Sequence, residues 1–270
     1  MRLWVLGSGS KGNALLLECG ASRILIDAGF PAGSLGKRLR SIGVAPESLE
    51  GVIITHEHSD HVRGAAGGVK RWGWRVHATT GTLAACPGLA DAAARGFRAG
   101  STLTFCDVEV HTVLTSHDAE EPVALVATAR ESGVRAGIAY DLGCGTPAIR
   151  RELRELDLLV LESNHDGGML RTGPYPWMLK RRIASSTGHL SNRAAGELVR
   201  DAAHRGLREV VLAHLSEINN TPEIARAEVA DCLRRSPFRG RLSAAPQRGI
   251  VGPFGPGGAR PTGEQLSFSL

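Results

Sequence analysis

The chain has 270 residues, of which 42% are hydrophobic and 22% are charged. This composition is typical of a globular protein with a full hydrophobic core and excludes a chain that is disordered over most of its length. The five cysteines are scattered without a CxxC pair, which argues against a disulfide framework and against a cysteine zinc site. The formal net charge of +5 favours anionic partners such as nucleic acid, although a general excess of arginine would explain it equally well.

The first residues, MRLWVLGSGSKGN, contain an apolar run too short for a secretory signal. No later apolar stretch reaches the roughly 18 residues that a membrane-spanning helix needs. Together with the free thiols, these features predict a cytoplasmic protein without membrane contact. They do not indicate an oligomeric state.

Short apolar, β-branched runs between glycine-rich turns predict strands along the whole chain. These runs cover residues 3–6, 14–18, 24–27, 52–55, 75–79, 108–114, 123–127, 135–140, 158–162 and 209–213. Helical spacing predicts helices over 61–72, 192–204 and 222–234. The third helix has Thr221 as a cap and Pro222 at its first position, which is a favourable start.

Strands dominate the first half, and helices alternate with strands in the second. The mixture predicts an α/β fold in which two sheets pack face to face with helices outside, a four-layer αββα sandwich. Periodicity alone does not distinguish this arrangement from a doubly wound sheet. We expect one domain over 1–245, a Gly/Pro/Arg-rich loop or disordered segment over 246–264, and a possible terminal strand at 265–270.

The densest group of potential metal ligands follows the strand at 52–55, in the run GVIITHEHSDH. His56 and His58 are two residues apart, so in an extended segment they project to the same side and can hold one ion. Asp60 and His61, at the start of a predicted helix, point away from that pair, which suits a second ion. The alternative is a polar turn of solvated histidines, which this density of ligands after a buried strand disfavours. The run is not the HExxH motif of metalloproteases.

Three further strand ends carry potential ligands, His117, Asp141 and His214. Each follows an apolar run, which brings its side chain to the rim of a sheet. Singly, each residue is more typical of a structural turn, but together with the 56–61 group they predict one metal site. Histidine and aspartate without a thiolate suit zinc, manganese or iron(II) and exclude none of them.

In these motifs and their order, the chain resembles the metallo-β-lactamase superfamily over essentially its whole length. Asp27 in LIDAG matches the first motif, the HxHxDH run the second, and His117, Asp141 and His214 the remaining three. The resemblance implies two divalent ions, zinc or manganese, with iron as a further option. One ion would take His56, His58 and His117, the other Asp60, His61 and His214, with Asp141 bridging them and Asp27 hydrogen-bonding a ligand. A water between the ions would become hydroxide and attack the substrate, so Asp60 also counts as catalytic.

Within the superfamily, the chain most resembles the YycJ (WalJ) group, described as 5′-to-3′ exonucleases or related phosphodiesterases that act on DNA. The features are SGSKGN at 8–13, LESNHD at 161–166, TGHLSN at 187–192 and LAHLSEINN at 212–220. The resemblance implies a metal-dependent phosphodiesterase whose partner is nucleic acid, in particular DNA.

These additional segments supply candidate substrate contacts. The 8–13 turn could offer backbone N–H groups and side chains to a phosphate, although a glycine turn between strands explains it as well. The candidates there are Ser8, Ser10, Lys11 and Asn13. His189, Ser191 and Asn192 lie at a predicted helix start, which favours an anion and equally a plain helix cap. His165 follows the strand at 158–162 and is either a proton donor or phosphate contact near the metals, or a surface histidine. His165 and His189 complete the catalytic candidates.

Two other classes of function compete with the nuclease. One is a small-molecule hydrolase of a cyclic nucleotide, lactone or thioester, and the lack of an evident added substrate domain argues against the thioester. The other is a scaffold that has lost its metals, which the intact ligand positions disfavour. A secreted β-lactamase is disfavoured because no signal peptide is apparent.

Overall fold

The computed structural model describes residues 1–92, 94–246 and 249–255. Its strands are β1 (Arg2–Gly7), β2 (Ala14–Cys19), β3 (Ser22–Ile26), β4 (Gly51–Ile53), β5 (Val76–Thr79), β6 (Arg95–Phe97), β7 (Thr102–Thr104), β8 (Val108–Leu114), β9 (Val123–Ala129), β10 (Arg135–Ala139), β11 (Leu158–Glu162), β12 (Glu209–Ala213), β13 (Arg241–Ala244) and β14 (Val251–Phe254). Its helices are α1 (Ala32–Ser41), α2 (Ser59–Val62), α3 (Ala65–Trp72), α4 (Thr80–Ala85), α5 (Pro87–Ala90), α6 (Pro147–Glu152), α7 (Gly167–Thr172), α8 (Trp177–Ile183), α9 (Asn192–Ala202) and α10 (Pro222–Leu233).

The strands form two mixed sheets with the same plan. The first sheet has the order β14-β1-β2-β3-β4-β5-β6 and the second the order β13-β12-β11-β10-β9-β8-β7. In each sheet an antiparallel part is followed by a parallel part, β3 to β6 in the first and β10 to β13 in the second. The carboxyl ends of the parallel strands in a sheet lie at one edge, so the residues that follow these strands can meet.

Apolar side chains form three cores, one between each pair of neighbouring layers. One core lies between the sheets and includes Ile24, Val110 and Val160. A second core joins the outer face of the second sheet to α6, α9 and α10, and a third joins the outer face of the first sheet to α1 and α3. The predicted four-layer αββα sandwich is therefore confirmed, and a doubly wound single sheet is excluded.

The sequence of strand β11 shows no alternation of polar and apolar residues, although it is a strand. Val160 points into the core between the sheets, whereas its neighbours Leu159 and Leu161 pack against the helices. Both faces of the strand are buried, so its sequence is continuously apolar up to Glu162.

Of two local predictions, one is confirmed by the structure and the other is corrected. Thr221 caps α10 as predicted, since its hydroxyl accepts a hydrogen bond from the Ile224 N–H at 3.2 Å. The single helix predicted over 61–72 is instead split into α2 and α3, and a Cβ at Gly64 would lie 2.1 Å from the Phe30 carbonyl. The chain therefore turns at Gly64, where two backbone segments touch.

The C-terminal prediction is partly outside the described residues. Within the segment 246–264, which the composition predicts to be a loop, β14 pairs antiparallel with β1. The chain forms a strand here rather than the expected loop, because β14 pairs with β1 and covers an edge of the first sheet. The rest of that segment from residue 256 and the possible strand at 265–270 lie outside the described residues. In the described part of the chain, no helix is long and apolar enough to cross a membrane.

Candidate metal centre

The potential ligands gather at one edge of the sandwich because they follow strands that end there. Asp27 follows β3, Asp141 follows β10 and His214 follows β12. All three adopt the left-handed backbone conformation, with φ of 59°, 58° and 53°. This conformation is strained in residues with a Cβ, and such strain is concentrated at functional sites. The sharp turns aim these side chains across the edge rather than along the strands.

The first cluster consists of His56, His58 and His117. The His58 Nδ1 atom lies 3.1 Å from His56 Nε2 and 3.3 Å from His117 Nε2. His117 Nδ1 is 3.0 Å from the Gly188 carbonyl, which only accepts, so Nδ1 carries the proton and Nε2 presents a lone pair. Three ring nitrogens thus converge on one point, which is the arrangement of a three-histidine metal site.

The second cluster consists of Asp60, His61 and His214. His61 Nδ1 donates to the buried Asp27 carboxylate at 2.7 Å, which leaves Nε2 facing Asp60 Oδ2 at 3.5 Å. His214 Nε2 lies 3.7 Å from the same oxygen. Although burial raises the pKa of Asp60, the nearby imidazoles of His214 and His61 lower it far below its usual value. Asp60 is therefore an anion at neutral pH.

Asp141 lies between the two clusters. Its Oδ2 is 3.0 Å from His61 Nε2, and its Oδ1 is 3.9 Å from His117 Nε2. Asp141 Oδ2 and His214 Nε2 are both buried and have no hydrogen-bond partner. A buried polar atom without a partner costs on the order of 1–3 kcal/mol, so these two atoms call for a cation. The donor set and the unpartnered atoms fit two divalent ions.

The Asp27 carboxylate holds neighbouring groups at this edge of the sheet in position through hydrogen bonds. Its carboxylate accepts the Thr55 N–H at 2.8 Å and the Tyr140 hydroxyl at 2.5 Å, besides the His61 ring. The position agrees with the support role that the sequence predicts for Asp27. The sequence analysis did not single out Tyr140, which is the buried last residue of the predicted strand 135–140 and directly precedes Asp141.

Glu162 is the site residue that the sequence analysis missed. It is fully buried, and its Oε1 lies 2.7 Å from His189 Nδ1 and 3.1 Å from His214 Nδ1. Its Oε2 accepts the Leu142 N–H at 2.8 Å. Burial opposes its ionisation, but the charge and hydrogen bond of His189 outweigh burial and lower the pKa of Glu162 to about 2. The available signal was an acidic residue at the end of a continuously apolar strand, because a buried carboxylate is rare unless it is paired.

The two additional histidines have different surroundings. His189 lies next to the metal ligands, with Nδ1 3.3 Å from Asp141 Oδ1, and it lines the cavity over the clusters. His165 is buried, its carbonyl accepts the Asn192 N–H at 2.9 Å, and it forms a β-bridge with Ser191. His165 is not among the cavity-lining residues of the described chain. Of these two histidines, the structure places His189, but not His165, in the lining of the cavity.

Most of the other candidate phosphate contacts already bond to groups of the protein itself. Ser191 caps α9 by accepting the Ala194 N–H, and Asn192 is buried against Ser163 and Asn220. In the 8–13 turn, Ser8 accepts the His214 N–H at 2.8 Å, Lys11 pairs with Glu217, and Asn13 contacts His61 and Asp60. Ser10 is the member of this turn that lines the cavity.

A cavity of about 260 Å³ opens above the two clusters. His58, Asp60, His117, Asp141 and His214 form its floor. Tyr175 and the α8 residues Leu179, Arg182 and Ile183 form part of its wall. The arrangement places potential metal ligands in the lining of an accessible cavity, where bound ions could contact a substrate.

Residues 7–165 match the sequence profile of the metallo-beta-lactamase superfamily. The chain belongs to this superfamily. It is a metal-dependent hydrolase of that fold.

Similar proteins cover most of the chain. Exodeoxyribonuclease YycJ of Bacillus anthracis is 32% identical over 238 residues, which are 87% of this chain and 89% of that protein. Exodeoxyribonuclease WalJ of Streptococcus pneumoniae is 33% identical over 239 residues, 86% of this chain and 88% of that protein. The crystal structure of the metallo-beta-lactamase fold protein YhfI from Bacillus subtilis covers 93% of this chain and 99% of its own, with a TM-score of 0.68 at 18% identity. The resemblance to the YycJ and WalJ group is confirmed, and the YhfI likeness shows the shared fold.

Proposed function

We propose that this protein is a two-metal phosphodiesterase that digests DNA from a 5′ end. The observation that carries the proposal is the match, over more than four-fifths of both chains, to two exodeoxyribonucleases. The bridging position of Asp141 between two ligand clusters supports it, because paired ions suit phosphodiester hydrolysis.

The proposed ligand assignment rests on the ring nitrogens and carboxylate oxygens that face one another in each cluster. We assign His56 Nε2, His58 Nδ1 and His117 Nε2 to one ion. We assign Asp60, His61 Nε2 and His214 Nε2 to the other, with Asp141 shared. Zinc and manganese suit these ligands, and iron(II) is compatible with them. Bound divalent ions supply Lewis-acid stabilisation of the charge that develops on the phosphodiester oxygens.

His189 supplies an acid beside the metals. Its Nδ1–H is held by Glu162, so its Nε2 is the atom available to a substrate in the cavity. Burial lowers the pKa of His189, but the charge and hydrogen bond of Glu162 outweigh burial and raise it above its usual value. A protonated His189 can donate its Nε2 proton to the oxygen that leaves, which helps a poor leaving group most.

The test is a digestion assay with defined ends. Metal-loaded protein is incubated with single- and double-stranded DNA and RNA, labelled at either end, beside bis-p-nitrophenyl phosphate and a thioester. We expect mononucleotides released first from the 5′ end of DNA, with binding that weakens steeply as salt rises, because phosphate contacts release counterions. Turnover of the thioester without any cleavage of nucleic acid would overturn the proposal in favour of a small-molecule hydrolase. The proposed cytoplasmic location is tested separately by cell fractionation.

A further inference from the structure

Helix α8 carries apolar side chains but buries none of them. Its seven residues include Trp177, Met178 and Leu179, whose exposed fractions are 63%, 71% and 36%. Exposed apolar groups of this size are normal when they are single, but three in succession mark a surface that binds something. They account for half of the six large exposed hydrophobic residues in the described part of the chain.

The same helix is strongly basic. Lys180, Arg181 and Arg182 follow the apolar residues directly, and residues 167–196 contain five basic residues and no acidic one. The Arg181 guanidinium lies 4.6 Å from the centre of the Trp177 ring, so the aromatic face and the positive charge are adjacent. An exposed aromatic ring beside cations is the combination that binds single-stranded nucleic acid, where unstacked bases can lie on the ring and phosphates on the cations.

Helix α8 is also continuous with the candidate active site. Leu179, Arg182 and Ile183 line the cavity above the ligand clusters, and the Arg182 side chain pairs with Asp118, another lining residue. Asp118 Oδ1 lies 3.3 Å from His117 Nε2. Helix α8 therefore forms part of the border of the cavity in which the scissile phosphate of the proposed substrate would lie.

We propose that α8 is the platform for the unpaired part of a DNA substrate. A base of this unpaired part stacks on Trp177, and Arg181 contacts a backbone phosphate beside that base. This inference rests on the proposed nuclease function and deepens it, because it names single-stranded DNA as the form that the site accepts. A second copy of the chain would also cover apolar residues, but it would not explain a run of cations at the rim of the cavity.

The first test is Trp177→Ala, with Trp177→Phe as the conservative variant. Stacking of a base on an aromatic side chain typically contributes a factor of about ten or more in affinity. We expect Trp177→Ala to raise the KM for single-stranded oligothymidylate of about ten nucleotides by roughly tenfold, while kcat for bis-p-nitrophenyl phosphate stays unchanged. Phenylalanine should restore most of the loss. Ile224→Ala, at an exposed apolar residue of α10, is the matched control and should change neither value.

The second test observes binding directly. Rapid mixing of the metal-loaded protein with oligothymidylate should quench tryptophan fluorescence before any cleavage, and Trp177→Phe should abolish that quench. Arg181→Ala should reduce the slope of log affinity against log salt by about one, whereas Arg234→Ala, directly after the end of α10, should not.

These outcomes separate the two proposals. If the protein digests DNA but Trp177→Ala leaves KM and the quench unchanged, α8 is not the platform and the nuclease function stands. If oligothymidylate quenches Trp177 but no nucleic acid is cut, the proposed function fails and the platform stands. If Trp177→Ala instead converts a dimer to a monomer in sedimentation without changing the KM for DNA, α8 is an interface between copies and the inference is overturned.

Discussion

The buried carboxylate of Glu162 lies 2.7 Å from the Nδ1 atom of His189. The same oxygen also reaches His214, a proposed metal ligand, at 3.1 Å. One side chain therefore orients both a group that faces the substrate and a group that faces a metal ion. Partners of this kind set the tautomer and direction of the imidazole rings.

Replacing Glu162 by Gln should lower turnover on DNA by roughly ten- to a hundredfold, because the neutral amide carries no charge that keeps His189 protonated. Its NH2 group would also face the Leu142 N–H that Oε2 now accepts. The size of the side chain is retained, so the fold should be retained as well. The loss is measured as kcat/KM on DNA with metal content determined in parallel.

Glu209→Gln is the matched control for that variant. Glu209 is a buried acid at the opposite end of β12, where it pairs with Arg241 away from the site. Its substitution should leave turnover unchanged and affect only stability. Equal turnover of Glu162→Gln and the unaltered protein would contradict the positioning role.

The two ligand clusters predict two ions per chain. Asp60→Ala should remove mainly the ion held by His61 and His214, because the three-histidine cluster does not include Asp60. His117→Ala should do the converse. Elemental analysis after gel filtration should give about two ions in the unaltered protein and about one in each variant. A single ion in protein supplied with excess metal would contradict a dinuclear centre.

The histidines and aspartates of this centre were predictable because each follows a strand and carries its own local signal. Residues 56–61 supply four ligands in six positions, and the structure brings all of them to the clusters. The role of Glu162 depends on the neighbours of β11 in the sheet, which place Leu142 and His214 beside it. No local spacing encodes such a contact between parallel strands.

Other residues were candidate phosphate contacts because of their residue type, but the structure shows them bonded to the protein. Asn192 has the polarity of a phosphate contact, but it is fully buried and bonds to Ser163 and Asn220. Helix α8 was not predicted because it has no buried face, and the pattern of a helix in a sequence arises from that face.

Metal binding should release protons. Burial lowers the pKa of His214, but the charge of Asp141, the nearby carboxylate of Asp60 and the hydrogen bond to Glu162 outweigh burial and raise it to about 10 in the metal-free protein. At about pH 8 this imidazole is therefore protonated, and a metal ion that takes its Nε2 lone pair must displace the proton.

Calorimetry in buffers of different ionisation enthalpy counts the protons released. His214→Ala should release about one proton fewer per chain at about pH 8. The release should diminish as the pH rises through about 10, because the folded metal-free protein then holds no proton there. Metal binding without proton release at about pH 8 would show that His214 is neutral before the ion arrives.

The last prediction separates His189 from His165, which the sequence treated alike. His189→Ala should keep both metals and cut DNA digestion by roughly tenfold or more, because it removes a proton donor and a charge-assisted hydrogen bond. Hydrolysis of bis-p-nitrophenyl phosphate should fall much less, since its leaving group needs little protonation. His165→Ala should instead lower the free energy of unfolding by about 1–3 kcal/mol, as typical buried substitutions do, and leave both activities close to those of the unaltered protein. Activities on the two substrates, metal content and urea unfolding are measured for both variants. A large selective loss on DNA in His165→Ala would restore it as a substrate contact, and loss of metal in His189→Ala would make His189 a ligand.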